Sequence, residues 1–223
     1  MPRPFAIHAA ILLAAFIVFT LVVAFVDRAS IGPDGVSTVG LSHLNRSVQR
    51  LIGRNQTAYR ASKCLGLLAL ATVPFYAAAG LFQLIRRRSL KALDRSLIIL
   101  ALYYLLIALC YLFFEKLAIN YRPVFEADGT LEPSYPSSHT LLGICLPGAS
   151  LLICRHWLKE AGHSASAVAA TVLHLLISLG IVLCRLLSGV HWFTDIIGSI
   201  LLALALLFAF AAARLGGLHL KKK

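Results

Sequence analysis

Three short polar clusters interrupt a chain that is otherwise rich in apolar residues, and their residue types suit phosphate chemistry. The first is NYRP, which contains Arg122 and Pro123. The second is YPSSHT, with His139 near its end, and the third is CRLLSGVHWFTD, which runs from Cys184 to Asp195. Polar residues near the ends of membrane spans are costly to bury unless they have partners or a function. The clusters are therefore the candidate functional residues.

Phosphate binding is the first chemistry that these clusters predict. Arg122 and Arg185 carry permanently charged guanidinium forks that match phosphate oxygens. Ser137 and Ser138 stand where a helix is expected to begin, so hydroxyl groups and backbone amides add neutral donors there. Together they predict an anion site made of two cations and a helix start.

Phosphoryl transfer is the second chemistry, and it depends on two histidines. His191 and Asp195 are four residues apart, so they share a helical face, and the carboxylate can accept a hydrogen bond from one ring nitrogen. The other nitrogen is then free as a nucleophile. His139 is available to protonate a leaving oxygen. This set describes transfer through a phosphohistidine that needs no metal ion or other cofactor.

Composition places these clusters in a membrane protein. Of the 223 residues, 59% are hydrophobic and 13% are charged, compared with about 45–50% and about 25% in soluble domains. The apolar content also excludes a disordered chain. The formal net charge of +12 comes from residues between apolar runs, so it indicates membrane orientation and not nucleic-acid binding. The five cysteines show neither a disulfide framework nor metal-ligand spacing.

Six apolar windows are long enough to cross a bilayer, which predicts an all-α bundle in one membrane-embedded domain, residues 1–223. An even number of spans puts both termini on one side, and the basic second and fourth connections predict that this side is cytoplasmic. All three polar clusters then face outside, and the small external loops favour a bacterial inner membrane. The predicted spans are about 5–26, 64–85, 96–116, 138–155, 166–185 and 193–213. The basic residues on the cytoplasmic side are Arg86, Arg87, Arg88, Lys91, Arg95, Arg155, Lys159, Arg214 and Lys221 to Lys223.

The first external loop, from Asp27 to Lys63, is also basic, against this rule. Its apolar residues recur at helical spacing beside a stripe of arginines, which predicts an amphipathic helix in the outer interface. A solvated helix, or one facing another subunit, fits the pattern equally well. The apolar positions are Leu41, Leu44, Val48, Leu51 and Ile52, and the stripe is Arg46, Arg50 and Arg54.

The order of the motifs resembles the type 2 phosphatidic acid phosphatase family, whose site is related to that of the vanadium haloperoxidases. The family pattern is Arg-Pro, then Pro-Ser-Gly-His, then Ser-Arg-x5-His-x3-Asp. Here it reads Arg122-Pro123, Pro136-Ser137-Ser138-His139 and Cys184-Arg185-x5-His191-x3-Asp195. Ser138 replaces Gly and Cys184 replaces Ser. Glu115 occupies the usual Lys position, and Lys116, one residue late, is turned by about 100° and is not expected to be a direct ligand.

The resemblance implies a six-helix, metal-independent lipid phosphate phosphatase. It makes His191 the nucleophile, Asp195 its orienting partner and His139 the general acid, with the phosphate held by Arg122, Arg185 and Ser137. Polyprenyl diphosphate, phosphatidic acid and phosphatidylglycerophosphate all remain possible substrates, and the oligomeric state is not defined. The alternatives are a lipid phosphotransferase, an anion channel or carrier, and a relative that binds lipid without turnover.

Overall fold

A computed structural model describes residues 3–32, 35–126 and 129–219, so the predicted basic residues Lys221 to Lys223 lie outside the described part. The chain is a bundle of helices with one small hairpin. The elements in order are α1 Arg3–Phe25, β1 Ala29–Ser30, β2 Thr38–Val39, α2 Ser42–Ile52, α3 Gln56–Leu70, α4 Thr72–Arg87, a 3-10 turn Leu90–Ala92, α5 Arg95–Leu117, α6 Ser138–Glu160, α7 Ser164–Leu187 and α8 Phe193–His219. The strands pair antiparallel, with Ala29 opposite Val39.

Six helical segments of the described chain are long and apolar enough to cross a membrane, which confirms the predicted all-α membrane bundle. The second segment is α3 and α4 together, 32 residues from Gln56 to Arg87, so it begins eight residues before the predicted start at Cys64. The break between its two helices lies at Ala71. Pro74 explains the break, because it has no amide hydrogen to donate to the carbonyl four residues earlier.

Helices α6 and α8 form the centre of the bundle. Each buries 44% of its most apolar window, whereas α1, α7 and the α3–α4 segment bury only 11%, so these three present most of their apolar surface to lipid. Glycines permit the close packing of α6. A Cβ atom at Gly143 would stand 2.5 Å from Ile181 on α7, and one at Gly148 would stand 2.7 Å from Leu207 on α8.

The first loop folds back over one end of the bundle. Arg28 donates to the carbonyls of Ala24, at 2.7 Å, and Ile119, at 3.3 Å, which ties the β-hairpin to the loop after α5. Asp27 accepts from the His43 amide at 2.8 Å, so its carboxylate caps the start of α2. Hydrogen bonding by that amide holds the pKa of Asp27 below its usual range.

Helix α2 is present where the amphipathic helix was predicted, but its buried face is polar. Ser42 and Asn45 are buried, whereas Leu44 and Leu51 are 44% and 87% exposed. The apolar side of α2 therefore points away from the protein. Its location in a membrane interface stays a prediction, and the contacts of its polar side lead directly to the candidate site.

Candidate active site

The site lies where α5 and α7 end and α6 and α8 begin, here called the site end of the bundle. His191 and Asp195 are 3% and 0% exposed, on either side of the start of α8 at Phe193. His191 Nδ1 lies 3.5 Å from Asp195 Oδ2, an ion-pair distance without the geometry of a hydrogen bond. The amide of Trp192 donates to the same Oδ2 atom at 3.0 Å, so Asp195 also provides a hydrogen-bond acceptor for a backbone amide at the start of α8.

A buried amide holds the other oxygen of Asp195. Asn120 Nδ2 donates to Asp195 Oδ1 at 2.8 Å, and Asn120 Oδ1 accepts from the Gly40 amide at 2.9 Å. Asn45 of α2 joins the network, because its Nδ2 donates to Thr194 Oγ1 at 2.9 Å and its Oδ1 accepts from the Thr194 amide at 3.1 Å. Asn120 therefore braces the aspartate directly, and Gly40 and Asn45 of the first loop brace Asn120 and the first turn of α8.

Arg185, in the last turn of α7, is a buried cation without an acidic partner. It is 1% exposed, and no Asp or Glu oxygen of the described residues lies within 4.0 Å of its guanidinium. Its Nη2 lies 3.5 Å from His191 Nε2, and its Nη1 donates to Ser62 Oγ at 3.4 Å. A buried charge is costly unless it is paired or hydrogen-bonded, so an anion placed beside this guanidinium would be bound favourably.

Helix α3 contributes one face to the same cluster. Tyr59, Ser62 and Lys63 follow helical spacing, and the ring of Tyr59 stands between two cations. The Arg185 guanidinium carbon is 5.4 Å from the ring centroid, and Lys63 Nζ is 4.7 Å from it. Both distances are within the range of cation–π attraction.

Arg122 is half-buried and ion-paired at the other side of the site. Its Nη2 lies 3.1 Å from Glu132, and its Nη1 lies 3.6 Å from Glu126. Its Nε is buried without a hydrogen-bond partner among the described residues. The loop that carries it is held by Trp192 Nε1, which donates to the carbonyl of Tyr121 at 2.6 Å.

The start of α6 stands between these groups. Ser137 is the N-cap, and its Oγ accepts from the Thr140 amide at 3.4 Å, which leaves the hydroxyl proton free to donate. Ser138 is the first helical residue, in place of the family's Gly, and His139 follows it. His139 Nδ1 is buried, and it has no partner within the described ranges.

Two cavities open on either side of this helix start. The first includes His191, Arg122 and Ser138, together with Glu115 and Glu132. The second includes His139 and Lys63, and it continues between α3 and α6 along apolar residues: Gly66, Leu67, Leu70, Leu142, Gly143 and Leu146.

The predicted site residues thus gather at one end of the bundle. His191, Asp195, Arg185, Arg122, Ser137, Ser138 and His139 surround the start of α6. Lys116 is exposed and lines neither cavity, whereas Glu115 lines the first.

Sequence reasoning missed Asn45, Asn120 and the α3 face. Asn120 had a local signal, as a polar residue two positions before Arg122. Lys63 also had a local signal, because it is a charged residue directly before the predicted second span.

Burial lowers the pKa of His191, and the nearby charges of Arg185 and Arg122 act in the same direction. Asp195 opposes this shift. The imidazole is therefore neutral at neutral pH, with a free electron pair on one nitrogen. Within the described chain, no group of three or more His, Cys, Asp or Glu side chains is arranged to hold a metal ion.

The fold and the site define a class: an integral membrane protein of six spans, with a buried His–Asp pair at one end beside an arginine that has no acidic partner among the described residues. Residues 113–215, which include all three motifs, match the family model of the PAP2 superfamily. This match confirms the predicted resemblance to the type 2 phosphatidic acid phosphatase family.

A solved structure shows a similar fold over nearly the whole chain. It is described as a crystal structure of the first transmembrane PAP2 type phosphatidylglycerolphosphate phosphatase from Bacillus subtilis. The TM-score is 0.62 at 17% identity, over 96% of this chain and 97% of the other. No curated protein gives a match.

Proposed function

We propose that the protein is a membrane lipid phosphatase that cleaves a lipid phosphate monoester or diphosphate through His191, without a metal ion. The observation that carries the proposal is the buried guanidinium of Arg185, which has no acidic partner in the described chain and lies 3.5 Å from His191 Nε2. A cation beside a neutral imidazole nitrogen binds a phosphoryl group and presents it to the nucleophile. The family resemblance supports the same reaction class.

In the first step, His191 Nε2 attacks phosphorus, and the bond from phosphorus to the leaving oxygen breaks. Asp195 stabilises the positive charge that develops on the ring through Nδ1, 3.5 Å away. Arg185 and Arg122 neutralise the phosphoryl oxygens, for which Arg122 exchanges its contacts with Glu132 and Glu126. His139 donates a proton to the leaving oxygen.

In the second step, water cleaves the phosphohistidine. His139, now neutral, takes a proton from the attacking water, and inorganic phosphate leaves as His191 regains its electron pair. Each group thus returns to its starting state. In this scheme the chain's own side chains supply the nucleophile, the acid and the cations.

We propose further that the site end faces the outside of a bacterial inner membrane, with both termini cytoplasmic. The support is the concentration of Lys and Arg at the opposite end, around Arg86 to Arg88 and Arg155. The site would then be reached from the outer leaflet, where a lipid phosphate head group lies at the depth of the helix ends.

Purified protein should release inorganic phosphate from lipid phosphates in the presence of EDTA, and His191→Ala should abolish release. His156→Ala is the matched control, because His156 lies near the far end of α6, where it pairs with Glu160. Full activity in His191→Ala, or its complete loss with EDTA, would contradict the mechanism. Radiolabelled phosphate that passes to an added lipid alcohol would indicate phosphotransfer instead of hydrolysis.

A further inference from the structure

The two cavities divide the site by charge and chemistry. The first combines the nucleophile His191 with Arg122, and two carboxylates, Glu115 and Glu132, also line it. The second combines the acid His139 with Lys63. Glu115 occupies the position where the resembled family has Lys, so the first cavity lacks that cation. Lys63 supplies a cation to the second cavity instead.

The second cavity is where the proposed mechanism puts the leaving group. In phosphoryl transfer the attacking and leaving atoms stand roughly in line on opposite sides of phosphorus. In the proposed mechanism His139 protonates the leaving oxygen, so that oxygen lies beside His139, which lines the second cavity together with Lys63. A group attached to that oxygen is therefore expected to lie near Lys63.

Lys63 is available for an anion at that point. It is exposed, and no Asp or Glu oxygen among the residues described lies within 4.0 Å of its Nζ. Its contact is the ring of Tyr59, which also holds Arg185, so α3 orients both cations together. Beyond Lys63 the cavity becomes apolar along Leu67 and Leu70.

We propose that Lys63 binds the inner phosphate of a lipid diphosphate, whose apolar chain begins in the groove between α3 and α6. The inference rests on the proposed function and names its substrate class. A leaving group that is an alcohol has no charge for Lys63 to bind, whereas a lipid monophosphate leaves with negative charge beside it. The cation and the apolar lining that follows it match the order of phosphate and chain in such a molecule.

The reaction balances without a further reactant. His191 Nε2 forms a bond to the outer phosphorus, and the bond between that phosphorus and the bridging oxygen breaks. The bridging oxygen leaves on the lipid monophosphate with a proton from His139. Water then releases inorganic phosphate from His191, and one water is consumed for each diphosphate cleaved.

The test compares one lipid chain as its diphosphate and as its monophosphate, with purified full-length protein in detergent micelles. Lys63→Gln should lower kcat/KM for farnesyl diphosphate about tenfold and change kcat/KM for farnesyl phosphate less than twofold. Lys63→Arg should restore most of the loss. Arg60→Gln is the matched control, since it removes a cation from an exposed position on the same helix.

An equal loss on both substrates, or no loss on either, would overturn the role of Lys63. If His191→Ala leaves turnover unchanged, the proposed function itself fails. The role of Lys63 is then decided by binding alone. A farnesyl methylenebisphosphonate, which lacks the cleavable bridge, should bind about tenfold more weakly to Lys63→Gln than to the wild type. Equal binding of that bisphosphonate to both proteins would overturn the inference.

Discussion

Replacement of Asn120 by Ala tests whether the buried amide acts on catalysis through Asp195. Asn120 Nδ2 donates to Asp195 Oδ1 at 2.8 Å, and both side chains are fully buried. A hydrogen bond to a charged group contributes about 1.5–3 kcal/mol. At about 1.36 kcal/mol per tenfold change in rate, its loss predicts a fall in kcat/KM of about 10- to 150-fold. The fall should lie in kcat, because the charge on Asp195 matters most when the ring of His191 becomes positive.

The assay is phosphate release from a lipid phosphate over a range of substrate concentrations, so that kcat and KM separate. Asn45→Ala is the matched control. Asn45 is equally buried and bonds to Thr194 in the same network, but none of its hydrogen bonds within the described chain goes to Asp195. Asn45→Ala should lower kcat less than Asn120→Ala does, although the two variants should lose a similar amount of thermal stability.

A double-mutant cycle with Asp195→Ala gives the decisive comparison. If Asn120 acts through the aspartate, adding Asn120→Ala to Asp195→Ala should lower single-turnover rates by less than about threefold, because effects that share one partner are not additive. Full additivity of the two losses would refute the reasoning. So would an effect of Asn120→Ala confined to KM, since the residue would then act on binding alone.

Three further outcomes follow from the site. The acid limb of the pH profile of kcat/KM should lie below about pH 6.5, the ordinary pKa of histidine. Burial lowers the pKa of His191, so the ring stays neutral at more acidic pH. An acid limb above pH 7 would contradict this. Glu132→Gln should lower KM up to about fivefold by freeing Arg122 from a partly exposed ion pair worth about 0–1 kcal/mol, and a raised KM would oppose it. Gly189→Ala should lower the melting temperature and activity in detergent, because φ is +68° and a Cβ atom would stand 2.1 Å from a backbone oxygen; an unchanged melting temperature would count against it.

The bundle, and the gathering of the predicted polar clusters at one end of it, followed from the sequence because charge is rare in this chain. Thirteen per cent of the residues are charged, so Arg122 and Arg185 stand out at the ends of apolar runs. Helix periodicity then relates His191 to Asp195 without knowledge of the fold. These inferences need only the spacing of residues along one sequence and the known length of a bilayer span.

The partners of those residues depend on contacts between distant segments, which the sequence does not contain. Asn45 is 149 positions from Thr194, and Asn120 is 75 positions from Asp195. The apolar spacing in α2 predicted an amphipathic helix but gave no partner for its polar face. The helix docks through that polar face, by Asn45 and by Gln49, whose Nε2 donates to the carbonyl of Gly189 at 2.8 Å. Neutral amides at single positions carry no periodic signal.

The buried charges of the site are arranged so that the imidazole stands between them. Arg185 lies 3.5 Å from Nε2 of His191, and Asp195 lies 3.5 Å from Nδ1. The guanidinium therefore keeps a proton away from Nε2, and the carboxylate favours one on Nδ1, which is the tautomer needed for attack. When phosphate binds, its charge satisfies Arg185. In the proposed mechanism phosphorus bonds to Nε2, and Asp195, whose other oxygen is already held by Asn120, stabilises the positive charge of the ring. In that mechanism the same three side chains stabilise both the free site and the phosphorylated one, as electrostatic preorganisation requires.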